Sequence, residues 1–209
     1  QVLFLEDSGP PDGLNLAFKR ATGAYYLFVN SDDRLLPGAL SRVYRAILDD
    51  QQRHDVYSGA CRVVDQQGRF IRMCFSDRMS LRRAAYGQCI LVQPSTVFSS
   101  KVFSTVGCFN TRNLSNWDGE FFIDAALRGF RFATLPYALS DYRVHPDGIT
   151  GSGRLAASHA QHSMNMYSKI TGKDAPRSEL LTKLYSIERK ILNPLDTINR
   201  LVYGPVSPF

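Results

Sequence analysis

Apolar runs of strand length alternate with segments whose apolar residues recur at helical spacing, and this alternation admits few folds. Residues 2–5 read as a strand. Leu14, Ala17, Phe18 and Ala21 then form a helical stripe, with Asp12 suited to its N-cap and Gly23 to its stop. Residues 25–29 are continuously apolar, as in a central parallel strand buried on both faces. Pro37 suits the first turn of a helix carrying Ala39, Val43 and Ile47. Residues 56–64 and 70–74 read as two strands joined by a polar turn at 65–68. A short helix at 80–86, a strand-like stretch at 90–99, a helical turn or two at 101–106, a helix at 118–127 and a strand at 130–135 follow. Beyond Gly151-Ser152-Gly153 the signals are only helical, at 154–170 and 178–202. The fold class is therefore α/β, a sheet flanked by helices over residues 1–150, with a helical appendage over 151–209.

The composition, 44% hydrophobic and 21% charged over 209 residues, is that of a soluble globular protein. No apolar run approaches the roughly 20 residues of a membrane-spanning helix. The start lacks the basic region and cleavage site of a signal peptide and reads as a strand entered part-way. A net charge of +6 would suit an anionic partner, but the basic residues are scattered. Arg72, Arg78, Arg82 and Arg83 come nearest to a patch, and no nucleic-acid-binding signature accompanies them, so no nucleic-acid partner is expected. Cys61, Cys74, Cys89 and Cys108 form no C-x-x-C pair, which favours reduced thiols in a cytoplasmic protein.

The chemistry concentrates after the apolar run 25–29, in Asn30-Ser31-Asp32-Asp33. Ligands of α/β sheets sit at the carboxyl ends of parallel strands, where this segment falls. Adjacent carboxylates repel each other, and a hard divalent cation relieves them while substrate phosphates fill its other positions. The alternative is an N-cap beside a solvated carboxylate. His159 and His162 share a helical face without matching partners. Nucleophile-elbow and phosphate-loop motifs are absent.

Asp12-Gly13-Leu14-Asn15, Ala21-Thr22-Gly23, Phe28-Val29-Asn30-Ser31-Asp32-Asp33 and Pro37-Gly38-Ala39-Leu40 resemble consecutive blocks of the family-2 glycosyltransferases. Gln93-Pro94-Ser95-Thr96, Val106-Gly107-Cys108-Phe109, Asp118-Gly119-Glu120, Leu135-Pro136-Tyr137-Ala138-Leu139 and Tyr142-Arg143-Val144-His145 continue the series. The resemblance spans residues 1–150 and implies a GT-A fold, a Rossmann-like mixed sheet flanked by helices. It also implies inverting transfer from a nucleoside-diphosphate sugar, a UDP-sugar foremost, to a glycan or lipid-linked acceptor in cell-surface polysaccharide or glycolipid synthesis.

Residue by residue, the resemblance implies that Asp33 and His145 hold Mn2+ or Mg2+, and that Asp32 contacts the ribose or the metal through water. Asp12, Asn15, Gln93 and Ser95 would lie along the donor. Asp118 would be the base that takes the acceptor's proton, with Glu120 a weaker candidate. Trp117 could stack on a sugar or belong to the core. The match begins late in the family's domain, as if two βα units of about 30 residues each were missing upstream. Rival readings are a non-catalytic nucleotide- or glycan-binding relative and an unrelated metal-dependent phosphotransferase or hydrolase. In the tail, Leu181, Leu184, Ile187 and Ile191 stand beside Lys183, Arg189, Lys190 and Arg200, a pattern suited to packing on the domain or to peripheral contact with an anionic membrane.

Overall fold

Residues 56–64 are rich in β-branched and small side chains, and they form the axis of the sheet. In the computed structural model, which describes residues 6–146, 148 and 155–204, this strand is buried along almost its whole length. The readings at residues 2–5 and 151–153 lie outside the described residues. The strands are β1 (Tyr25–Tyr26), β2 (Arg34–Leu35), β3 (Val56–Val64), β4 (Phe70–Cys74), β5 (Thr96–Ser99) and β6 (Phe132–Arg143). One edge of β3 pairs antiparallel with β5 at its start and with β4 at its end, and the other edge pairs parallel with β6. The order β1–β5–β3–β6–β2, with β4 against β3, makes the expected mixed sheet.

Two strand expectations need correction. The run 25–29 supplies only the two-residue β1, which lies antiparallel to β5 at the end of the sheet order and is not a central parallel strand. Its apolarity serves two cores at once, since Leu27 packs in one and Phe28 in the other. The carbonyl of Phe28 is taken by the Gln93 side chain. The strand expected at 130–135 runs on to Arg143. Pro136 lies between Thr134, which pairs with Ser58, and Ala138, which pairs with Ala60; its missing N–H suits this break in register. Gly59 faces the same irregularity, where a Cβ would stand 2.8 Å from the Leu139 side chain.

The helices are α1 (Pro10–Phe18), α2 (Ala39–Asp49), α3 (Leu81–Ala85), α4 (Ser100–Val106), α5 (Trp117–Leu127), α6 (Ala156–Thr171), α7 (Glu179–Leu192) and α8 (Pro194–Tyr203). Ala39, Val43 and Ile47 of α2 pack with Tyr57, Val97 and Leu139. The second core is aromatic. It joins Phe18 of α1, Phe98 of β5, Phe103 of α4 and Phe121 of α5 around Phe28, Phe109 and Trp117. Helix α1 begins at Pro10, with Gly9 at the N-cap position, so Asp12 lies inside the first turn and does not cap it.

The helix expected at 178–202 is two helices. Pro194 has no N–H to continue the ladder, and the Asn193 side chain accepts from the Asp196 N–H to start α8. Buried charges fasten this pair to the domain. Arg189 donates to Asp77 at 2.7 Å and to Asp196 at 2.8 Å, and Arg72 donates to Asp196 at 3.0 Å. The expectation that the apolar side of the tail packs on the domain is overturned: Leu181, Leu184, Ile187 and Ile191 are exposed.

Candidate active site

The pairing of β2 with β6 sets Arg34 opposite Asp141 and Leu35 opposite Ser140. That register brings Asp32 and Asp33 alongside Arg143, where the parallel strands β3 and β6 both end. The Arg143 backbone N–H donates to Asp33 Oδ1 at 2.8 Å. Its Nε donates to the Asp32 carbonyl at 2.9 Å, and its Nη1 donates to the carbonyls of Asp65 and Gln66 at 3.0 and 2.8 Å. A single arginine thus ties the acidic loop to the turn between β3 and β4.

His145 Nε2 lies 3.1 Å from Asp32 Oδ2. The Asn30 amide is shared between Asp33 Oδ2 at 3.4 Å and Gln93 Oε1 at 3.3 Å, while Gln93 Nε2 donates to the Phe28 carbonyl at 2.8 Å. The structure therefore brings together Asp32, Asp33, His145 and Gln93 of the expected set.

Burial pushes the Asp33 carboxyl up to about 6, and the neighbouring Asp32 adds to the rise against the bonds from Arg143 and Asn30. Burial thus disfavours the ionised Asp33 carboxylate, and a divalent cation beside it would favour that form again. Among the described residues, no group of three or more His, Cys, Asp and Glu is placed to hold an ion. Asp33 and its neighbours would fill only part of a cation's shell, leaving the remainder to phosphate oxygens and water, as hard-ion sites on nucleotides do.

The family-2 glycosyl transferase model matches residues 1–107, just over half of the 209-residue chain. The chain belongs to glycosyl transferase family 2. Solved structures agree on the fold. S. aureus TarS 1-349 in complex with UDP-GlcNAc superimposes with a TM-score of 0.61 at 20% identity, over 95% of this chain and 57% of that one. The mannosyltransferase PcManGT from Pyrobaculum calidifontis, in complex with GDP-Man and Mn2+, gives 0.54 at 18% identity, over 94% and 55%. This family-2 chain thus spans little more than half the length of either structure, and its fold is the GT-A type. No curated protein sequence matches it.

Other expected residues of this family-2 chain have partners of their own. Asp118 lies in the first turn of α5, where burial raises its carboxyl, while the Gly119 N–H and nearby His159 pull it back. Among the described residues, no hydrogen bond joins it to Asp32, Asp33 or His145. Trp117 is buried in the aromatic core, its ring 5.2 Å from Phe28, which decides between its two readings and sets the start of α5 against the segment leading to Asn30. Glu120 accepts from Asn110, Asn113 and Lys169.

Asn15 and Ser95, expected along the donor, are corrected: both face inward. Asn15 exchanges two hydrogen bonds with the Phe109 backbone, and Ser95 donates to the Ala60 carbonyl beside Ser140. Their blocks are fold-forming, and a buried polar side chain spends its bonds on the backbone. Asp12 accepts from the backbone and hydroxyl of Ser8.

Sequence reasoning gave no role to Arg143, Asn30 or Asp141. Buried Asp141 accepts from Arg34 and Arg62, both at 2.6 Å, and cross-links β2, β6 and β3 behind the acidic loop. Arg143 had one signal, its place two residues before His145. Nothing in the sequence pairs Arg62 with Asp141.

Proposed function

We propose that this chain transfers a sugar, with inversion, from a nucleoside-diphosphate sugar to a hydroxyl of a glycan or lipid-linked acceptor, in cell-surface polysaccharide or glycolipid assembly. The observation that carries this reading is the pair of adjacent carboxylates Asp32 and Asp33, held by Arg143 at the carboxyl ends of two parallel strands. The complexes of its structural neighbours support the donor class, UDP-GlcNAc for TarS and GDP-Man with Mn2+ for PcManGT.

Asp33, with His145 against Asp32, would hold Mn2+ or Mg2+, and the bound ion supplies neutralisation of the diphosphate's charge. Asn30 and Gln93 orient Asp33 and border the donor side of the site. Asp118 acts as general base. Burial lifts its carboxyl, which strengthens it as a proton acceptor once ionised. The acceptor oxygen attacks the anomeric carbon opposite the diphosphate and gives its proton to Asp118. The bond from carbon to diphosphate breaks with its electron pair on the leaving oxygen, inverting the centre.

Thermal shift with UDP-GlcNAc and GDP-Man, with and without Mn2+, tests the donor site. One donor is expected to stabilise the protein by several degrees only with the metal, and Asp33→Asn should abolish the shift. Asp118→Asn should keep that shift and lose transfer. Metal-independent stabilisation that persists in Asp33→Asn, or hydrolysis of simple phosphate esters without sugar transfer, would count against the reading.

A further inference from the structure

Helix α7 wears its amphipathicity inside out. The side facing the domain carries Thr182, Tyr185, Ser186 and Arg189. Tyr185 packs on Tyr86 with ring centroids 5.0 Å apart, and Arg189 is locked to Asp77 and Asp196. The opposite side presents Leu180, Leu184, Ile187 and Ile191, exposed at 67%, 51%, 53% and 71%. The buried arginine fixes the rotation of the helix, so the apolar stripe cannot turn inward without taking from buried Asp77 its arginine partner.

The stripe repeats at intervals of four, three and four residues, the seam spacing of a coiled coil. With Leu184 and Ile191 at a and Leu180 and Ile187 at d, Lys183 and Lys190 fall at g and Glu188 at e. In a parallel pair, each g residue meets the e residue five positions on in the other copy. Lys183 of one copy therefore faces Glu188 of the other, twice by symmetry. An antiparallel pair would instead oppose Lys183 and Lys190, a like-charge contact. Lys183 and Glu188 have no ion-pair partner among the described residues, so both are available. Beside the stripe Glu179 and Glu188 balance Lys183 and Lys190, so the face carries no net positive charge to draw an anionic lipid surface.

We infer that the occupant of this face is a second copy of the chain, docked in parallel through α7 about a two-fold axis along the helix. The contact is independent of the transferase reading. Sedimentation velocity on the full chain at about 20 μM should give a dimer of twice the 23.5 kDa chain mass. Leu184→Glu should weaken association at least ~100-fold and leave the far-UV circular dichroism of the chain unchanged, because the side chain meets solvent. Lys183→Glu and Glu188→Lys should each weaken it about tenfold, and the two together in one chain should restore it. A monomer at ~100 μM overturns the inference. So does a dimer that survives Leu184→Glu, or single charge reversals that the double variant fails to rescue. A monomer that co-sediments with phosphatidylglycerol vesicles, and loses that binding in Leu184→Glu, overturns it in favour of lipid.

Discussion

The Arg143 backbone N–H donates to Asp33 Oδ1 at 2.8 Å across a sequence separation of 110 residues. Because the donor is main chain, substitution of Arg143 leaves this bond in place and removes only what the guanidinium does. That group ties together the carbonyls of Asp32, Asp65 and Gln66.

Arg143→Ala is accordingly expected to cost about 2–3 kcal/mol of stability and to weaken donor binding at least ~tenfold. Arg143→Lys should recover little, since an ammonium cannot fork toward three carbonyls. Urea unfolding and donor titration of both variants check this; wild-type donor affinity in Arg143→Ala would refute it.

Trp117 is the single tryptophan of the chain and lies in the aromatic core. Trp117→Ala should destabilise the fold by about 3–5 kcal/mol, and Trp117→Phe by much less. Native fluorescence should be blue-shifted, shift red on unfolding, and stay unchanged with added oligosaccharide. A saccharide-dependent emission change would return Trp117 to the binding surface.

Burial pushes the Asp50 carboxyl up, but bonds from the His54 ring and backbone and from the Tyr57 hydroxyl outweigh it and hold it at about 2. A folded value below the free one of 3.8 stabilises the protein above that pH. Wild type should therefore exceed Asp50→Asn by about 1 kcal/mol near neutrality, after allowance for solvent screening. The gap should close as pH falls from about 4 to about 2. Thermal unfolding of both proteins across that window checks the sign, and a gap that widens on acidification would be the wrong one.

Arg189 is the shared partner of Asp77 and Asp196, both buried. Arg189→Met should leave an uncompensated carboxylate and cost about 3–5 kcal/mol. The loss should be local, with α7 and α8 exchanging amide hydrogen faster than β3. Uniform loss of protection across β3 and α7 would show that the tail and sheet unfold together.

Local pattern and ordered blocks were enough to read the alternation of elements, the strands β3 and β4, the acidic loop and the family from the residues alone. Each depends on neighbours in sequence, through apolar period, turn chemistry or contiguous motif. Long-range pairing was not legible in that way. The demotion of residues 25–29 to a two-residue edge pairing followed from which strands bond, and the inward turn of Asn15 and Ser95 followed from which backbone groups needed partners. The tail reversed its expected orientation because Asp77 and Asp196 captured Arg189, and a buried charge outweighs four leucine and isoleucine side chains in choosing which face turns inward. The sequence by itself determined that Asp32 and Asp33 end an apolar run. Only the tertiary structure decided that Arg143, 110 positions from Asp33, would hold them, because β2 and β6 meet through space and their register appears nowhere in the order of residues.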